Sequence, residues 1–295
     1  MALRDHGHFG RAAASCFVTQ STLSVGIAEL ERLLGTLLVE RSKRSVRFTP
    51  VGEEVVARAR GVIRAGEDLV AVAQGAREPL VGTIRLGVIP TVAPFLLPRI
   101  LQGVRARWPR LRLFVREMLT GVGCDALGRG TADCVLLALP AECGEVDVAE
   151  IAVDRLLLAA RAGDGAVSLD AVEPERLLLL EDGHCLRDQA LAACKLSGPA
   201  PDAPLVASTL QTLVGLVDAG LGVTLLPEMS VAAGILDGSD VRARAVEGVS
   251  AERRVALAWR RGNPREGEFR LLADTVREAV GGTDRLPIHI SRLQH

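Results

Sequence analysis

Thr19-Gln20-Ser21-Thr22-Leu23-Ser24-Val25-Gly26-Ile27-Ala28-Glu29-Leu30-Glu31-Arg32-Leu33-Leu34-Gly35 decides how this chain begins. Leu23, Ile27, Leu30 and Leu34 recur at spacings of three and four, which predicts a helix over Gln20–Leu34 with one apolar face. Gly35 stops it as a C-cap. Upstream, Phe9 to Phe17 reads as a shorter helix, and small residues at Ala12, Ala13 and Ala14 let the pair pack closely across a Val18-Thr19 turn. That is a helix-turn-helix. Downstream, Leu37 to Arg41 and Val46 to Thr49 flank a basic tip and predict a hairpin. Arg41, Lys43, Arg44 and Arg47 fall within seven residues with no acid among them, the composition of a wing that contacts phosphates. Residues 1–49 are thus expected to form a winged helix-turn-helix.

Residues 50–78 read as one long helix opened by Pro50, with Val55, Val56, Val62, Ile63, Leu69 and Val70 mostly on one side. Such a stripe without a core beside it calls for a partner, and a second copy of the chain is the natural one. From residue 80 to 282 strands and helices alternate, predicting an α/β domain with a mostly parallel sheet. About 200 residues is large for one such sheet. Two lobes are therefore expected, the first over about 82–150 and 254–282, the second over about 153–250, with a cleft between them. Residues 283–295 read as a tail.

Composition excludes little. The chain of 295 residues carries 35 basic and 36 acidic side chains, so a nucleic-acid reading must rest on local clusters. No apolar run reaches the length of a membrane span and the N-terminus is polar, so neither a transmembrane segment nor a cleaved signal is expected. The cytoplasm is the default compartment, where all six cysteines should be thiols. None forms a C-x-x-C pair, and neither a metal site nor a cofactor is expected.

Phe9-Gly10-Arg11-Ala12-Ala13, Thr19 to Ser24, Leu30-Glu31, Leu34-Gly35, Glu40-Arg41 and Phe48-Thr49-Pro50-Val51-Gly52 together resemble the LysR-type transcription regulators. The resemblance implies a C-terminal effector domain of periplasmic-binding-protein-like shape. It also implies an operator in double-stranded DNA, contacted through Thr19, Gln20, Ser21, Thr22 and Ser24, and a homodimer or homotetramer. Two departures stand out. The family carries a helix before Phe9 for which only Met1 to Gly7 remains, so that helix is expected to be truncated, with about two turns absent. Gly26 and Ala28 stand where longer side chains are common in the reading helix.

Gly183-His184-Cys185-Leu186-Arg187-Asp188, with Cys194 nine residues after Cys185, is similar to the peroxide-sensing OxyR subgroup. A cysteine reacts with peroxide as its thiolate. Cys185 is expected at a helix start, where the backbone offers partial positive charge, with Arg187 adding charge and His184 a hydrogen bond. The resemblance implies that hydrogen peroxide oxidises Cys185 to a sulfenic acid, which Cys194 resolves as a disulfide. It assigns Thr91, Thr120, Gly183 and Asp188 to the peroxide pocket. If 186–194 is one helix, the two cysteines lie about 13.5 Å apart along the axis, beyond the ~7 Å that a disulfide spans. The segment must then unwind for the bond to form.

Three other readings compete. A LysR-type regulator answering a small metabolite in the cleft would not need Cys185. A thiol peroxidase would need a reductant and leaves residues 1–78 idle. A solute-binding protein shares the bilobal shape but is expected to carry a secretion signal.

Overall fold

The computed structural model describes residues 1–41, 46–75, 78–164, 172–194, 205–246 and 251–281. They divide into two compact units, 1–70 and 71–295.

The first unit holds α1 (Ala2–His6), α2 (Phe9–Ser15), α3 (Gln20–Leu34), a hairpin of β1 (Val39–Arg41) and β2 (Val46–Phe48), and most of α4 (Pro50–Gly75). Local chemistry sets the ends. The His8 side chain caps α2 by accepting from Gly10 N–H, and Thr19 Oγ1 caps α3 by accepting from Thr22 N–H. Gly35 closes α3 at φ 65°. Glu31 then ties α3 to the hairpin, its carboxylate accepting from Leu38 N–H and Val39 N–H. Gly52 is obligatory: a Cβ there would stand 2.1 Å from the Leu38 carbonyl oxygen.

The leading helix is short: α1 is five residues long, and Leu3 is buried with Ala12, Leu38 and Val39. The apolar face of α3 is only half used. Leu23 and Ile27 pack on that cluster, whereas Leu30 and Leu34 are exposed. The wing tip, with Lys43 and Arg44, lies outside the described residues.

The second unit is built on a seven-stranded sheet, β3 (Gly82–Val88), β4 (Leu111–Glu117), β5 (Cys134–Leu139), β6 (Val146–Arg161), β9 (Thr224–Pro227), β10 (Val241–Ala245) and β11 (Glu252–Arg260). Its order is β10-β6-β11-β5-β3-β4, with β9 also on β6. A mostly parallel sheet was expected, and the structure corrects this. Only β4-β3-β5 run parallel; β11 is antiparallel to β5 and β6, and β9 and β10 are antiparallel to β6. The cause is the crossover. Sixteen-residue β6 pairs with β11 over its first part and with β9 and β10 over its last, so one strand serves two lobes.

Each lobe has its own core. The first gathers Trp259, Phe269, Ile84, Ile100 and Leu136 under α5 (Ala93–Arg107), α6 (Thr120–Arg129) and α10 (Glu266–Val280). The second gathers Leu156, Leu178, Leu180, Leu186, Val217 and Leu225, with β7 (Leu179–Leu180), α7 (Cys185–Ala193), β8 (Val206–Ala207), α8 (Leu210–Asp218) and α9 (Glu228–Ala232). Phe95 packs on both. Another expectation fails in the first lobe: Cys124 of α6 and Cys143, in the loop after β5, are joined as a disulfide. The loop returns over α6 and brings their Cα atoms to 4.7 Å, inside the span of such a bond. No described helix is long and apolar enough to cross a membrane.

Candidate sensor site between the lobes

The chain leaves β7 through Glu181-Asp182-Gly183 and enters α7 with His184 as N-cap and Cys185 as first helical residue. Gly183 adopts φ 91°, which favours glycine, and even its missing Cβ would lie 3.2 Å from Leu119 Cδ1. Leu119 caps α6. The turn therefore brings the starts of α6 and α7 together across the lobes. Half-buried Cys185 belongs by sequence to the second lobe yet packs against the first lobe's core. At the other end, Cys194 is the C-cap of α7 and packs on the second lobe's core, where burial pushes its thiol pKa up. Both are thiols, and nine residues of unbroken helix run from Cys185 to Ala193.

The expected site residues separate into two groups. Cys185, Asp188 and Gln189 line one cavity of about 480 Å³ with Pro140, Leu156 and Glu252. Thr91 and His184 line another, of about 380 Å³, with Phe95, Glu117, Thr209 and Gln211. His184 and Cys185, neighbours in sequence, thus line different cavities. His184 is 4% exposed, and burial lowers its pKa against the raising pull of Glu181 and Glu117. Its Nε2 stands 3.8 Å from the Glu181 carboxylate.

Arg187 is tied to the turn that precedes it. Its Nε pairs with Asp182 at 3.0 Å and its Nη1 donates to the Leu180 carbonyl at 2.9 Å. The guanidinium clamps the β7–α7 turn, because its partners lie behind the helix start and Cys185 faces the first lobe. Thr120, the first residue of α6, has a buried hydroxyl without a hydrogen-bond partner, and the Gln189 side-chain oxygen is in the same condition. Gln189 Nε2 meets the Leu139 carbonyl at 3.5 Å.

Sequence reasoning missed the fixture behind Thr91. Arg253 of β11 is fully buried, donates from Nη1 to Thr91 Oγ1 at 2.9 Å and from Nη2 to the Thr91 carbonyl, and pairs through Nε with Asp154 of β6 at 2.9 Å. The other Asp154 oxygen accepts from Met229 N–H. Burial raises the Asp154 carboxyl pKa, and Arg253 and the Met229 N–H oppose it. Arg253 sits between Glu252 and Arg254 and Asp154 precedes Arg155, so nothing in the sequence sets the buried pair apart from its charged neighbours.

In the first unit, Thr19, Gln20, Ser21 and Thr22 are exposed at the start of α3, with Ser24 half-buried one turn on. Thr19 Oγ1 lies 2.8 Å from both the Ser21 and Thr22 hydroxyls. Arg47 is exposed on β2 and Arg41 ends β1. Among the described residues, no group of His, Cys, Asp and Glu is arranged to hold a metal.

A helix-turn-helix with a basic hairpin, a long helix and a bilobal α/β domain define a one-component transcription regulator. Residues 1–53 match the bacterial regulatory helix-turn-helix proteins of the lysR family, and residues 77–281 match the LysR substrate binding domain. The chain belongs to the LysR family. It is 43% identical over 282 residues to the HTH-type transcriptional regulator EstR of Acinetobacter baylyi, covering 94% of this chain and 93% of that one. It is 38% identical over 295 residues to the hydrogen peroxide-inducible genes activator of Pectobacterium carotovorum, covering 96% and 95%. Full-length OxyR of Pseudomonas aeruginosa, solved with a cysteine-to-aspartate substitution, superposes with a TM-score of 0.74 at 32% identity over 94% of this chain and 91% of that one.

Proposed function

We propose that this chain is a cytoplasmic DNA-binding regulator that senses hydrogen peroxide through Cys185. The observation that carries the reading is the position of α7, with one thiol docked on each lobe and an intact helix between them. The Cys185 thiolate attacks one peroxide oxygen, the O–O bond breaks, and the departing oxygen takes a proton to leave as water. The Cys194 sulfur then displaces the second oxygen from the sulfenic acid, also as water, and the disulfide closes. Thr91, Thr120, His184, Gly183 and Asp188 are assigned to holding and admitting the peroxide, and Arg187 to shaping the helix start. A rise of about 1.5 Å per residue keeps the thiols too far apart while α7 is helical. Oxidation therefore unwinds α7 and releases Cys185 from the first lobe.

In this reading residues 1–49 bind an operator in double-stranded DNA, with Thr19, Gln20, Ser21, Thr22 and Ser24 at the groove and Arg41, Lys43, Arg44 and Arg47 on phosphates. The helix over 50–78 joins two copies, or four as paired dimers; its Val62, Ile63, Leu69 and Val70 are exposed. Residues 80–282 form the two-lobed sensor. No cofactor takes part and no membrane is involved.

The test is thiol mapping by mass spectrometry of the purified protein before and after near-stoichiometric peroxide. A Cys185–Cys194 disulfide is expected. If Cys185 stays a thiol, the reading fails. A second reading then leads, favoured by the cavity of about 380 Å³ beside Thr91 and His184: a metabolite-responsive regulator. In that case Cys185→Ser leaves regulation intact.

A further inference from the structure

The first lobe holds a second cysteine pair that the mechanism above does not use. Cys124 lies on α6, one helical turn after Thr120, so the two share a face. Cys143 lies in the loop from β5 to β6, packed on the first lobe's core. That loop starts at Leu139 and Pro140. Leu139 offers its carbonyl to Gln189, and Pro140 lines the cavity of Cys185. The Cys124–Cys143 bond thus fastens α6, one turn beyond Thr120, to the loop after β5, two walls beside the start of α7.

Cys124 is buried at 9% exposure, whereas Cys143 is half-buried. The two sulfurs differ in access, so an incoming thiolate meets Cys143 first. In the same structure Cys185 and Cys194 are thiols. One pair is closed while the other is open.

We propose that Cys124 and Cys143 are a second redox couple, exchanging with low-molecular-weight thiols, that gates the reactivity of Cys185. A small thiolate attacks Cys143 Sγ, the S–S bond breaks, and the Cys124 sulfur leaves with the electron pair and takes a proton. A second small thiolate attacks the mixed disulfide on the small molecule's own sulfur. The products are the Cys143 thiolate, which takes a proton, and the oxidised small-molecule disulfide. Two protein thiols appear and two small thiols are oxidised; the reverse exchange closes the pair. Closed, the bond holds the β5–β6 loop and the Thr120 turn against Cys185. Opened, it lets them drift apart. The gate rests on the peroxide reading above; the couple itself does not.

The experiment equilibrates full-length protein in glutathione buffers from reducing to oxidising, quenches it, and maps each cysteine by differential alkylation. Cys124 and Cys143 are expected to lose alkylation together, in the native chain and in Cys185→Ser alike. Peroxide is then added and the rate of Cys185–Cys194 closure is followed. Cys143→Ser and, separately, Cys124→Ala supply two permanently open forms. In both, closure is expected to slow by about 10-fold, a smaller loss than an ångström of misplacement costs at a reacting centre. The couple is overturned if Cys124 and Cys143 remain thiols in the most oxidising buffer, remain bonded in the most reducing one, or change independently. The gate is overturned if both open forms close the Cys185–Cys194 bond at the native rate. If Cys185 never loses alkylation in any form, the peroxide reading falls and takes the gate with it, whereas the glutathione titration still judges the couple.

Discussion

The two cysteine pairs of the sensor domain are opposites. Cys124 and Cys143 sit within one lobe, 19 residues apart in sequence, and the fold has already brought their Cα atoms to 4.7 Å. Cys185 and Cys194 are nearer in sequence yet held apart by the nine-residue helix between them, each against a different core. The difference teaches that a disulfide's effect depends on what must change for it to form. Closing the first pair keeps the native fold and stiffens it. Closing the second requires the native fold to give way locally, which turns a chemical event into a conformational one.

The largest expected effect tests the separation itself. Cys185→Ser should abolish peroxide-dependent transcription and leave the Cys124–Cys143 bond untouched, as read by a reporter assay and by thiol mapping. Loss of both bonds would merge the two pairs into one system.

Next is the fixture that holds the lobes. Arg253→Met leaves the Asp154 carboxylate buried without its partner, a change that typically costs about 3–5 kcal/mol. Thermal or urea unfolding should show this loss, and adding Asp154→Asn should recover much of it. Because Thr91 loses its anchor too, closure of Cys185–Cys194 should slow more than exchange at Cys124–Cys143.

A smaller effect acts on the helix. Ala192 is exposed on α7, and Ala192→Gly should weaken the helix by about 1 kcal/mol. If unwinding limits closure, the Cys185–Cys194 bond should then form faster by about fivefold, while the other pair keeps its rate. Stopped-flow mixing with peroxide measures this. An unchanged rate would mean that α7 does not have to open before the bond forms.

The smallest effect is on pH. Burial lowers the His184 pKa below its ordinary 6.5, so the folded state favours the neutral ring. As pH falls through 6.5 the unfolded chain takes up a proton that the folded chain refuses, and stability falls until the lowered folded-state pKa is reached. His184→Gln should flatten that part of a melting-temperature profile.

The legible parts of the chain were those written in local pattern. Thr19, the Leu23–Ile27 spacing and Gly35 placed α3 to the residue, because caps and a 3.6-residue period act within a few positions. The string from Gly183 to Asp188 marked the start of α7 for the same reason, through one turn residue and one cap. The partners of Arg187 were not legible, because charge near a cysteine in sequence says nothing of direction; its guanidinium meets Asp182 and the Leu180 carbonyl. Leu30 and Leu34 were misread because periodicity marks an apolar face without saying what covers it.

The sequence by itself thus determined the helix-turn-helix, the long helix after it, the start of α7, the order of the modules and the family. Tertiary structure alone decided that Asp154 meets Arg253 across 99 positions, that Cys124 meets Cys143, and that β6 joins two lobes in a mixed sheet. Those pairings depend on where distant strands come to lie, and no local propensity encodes that.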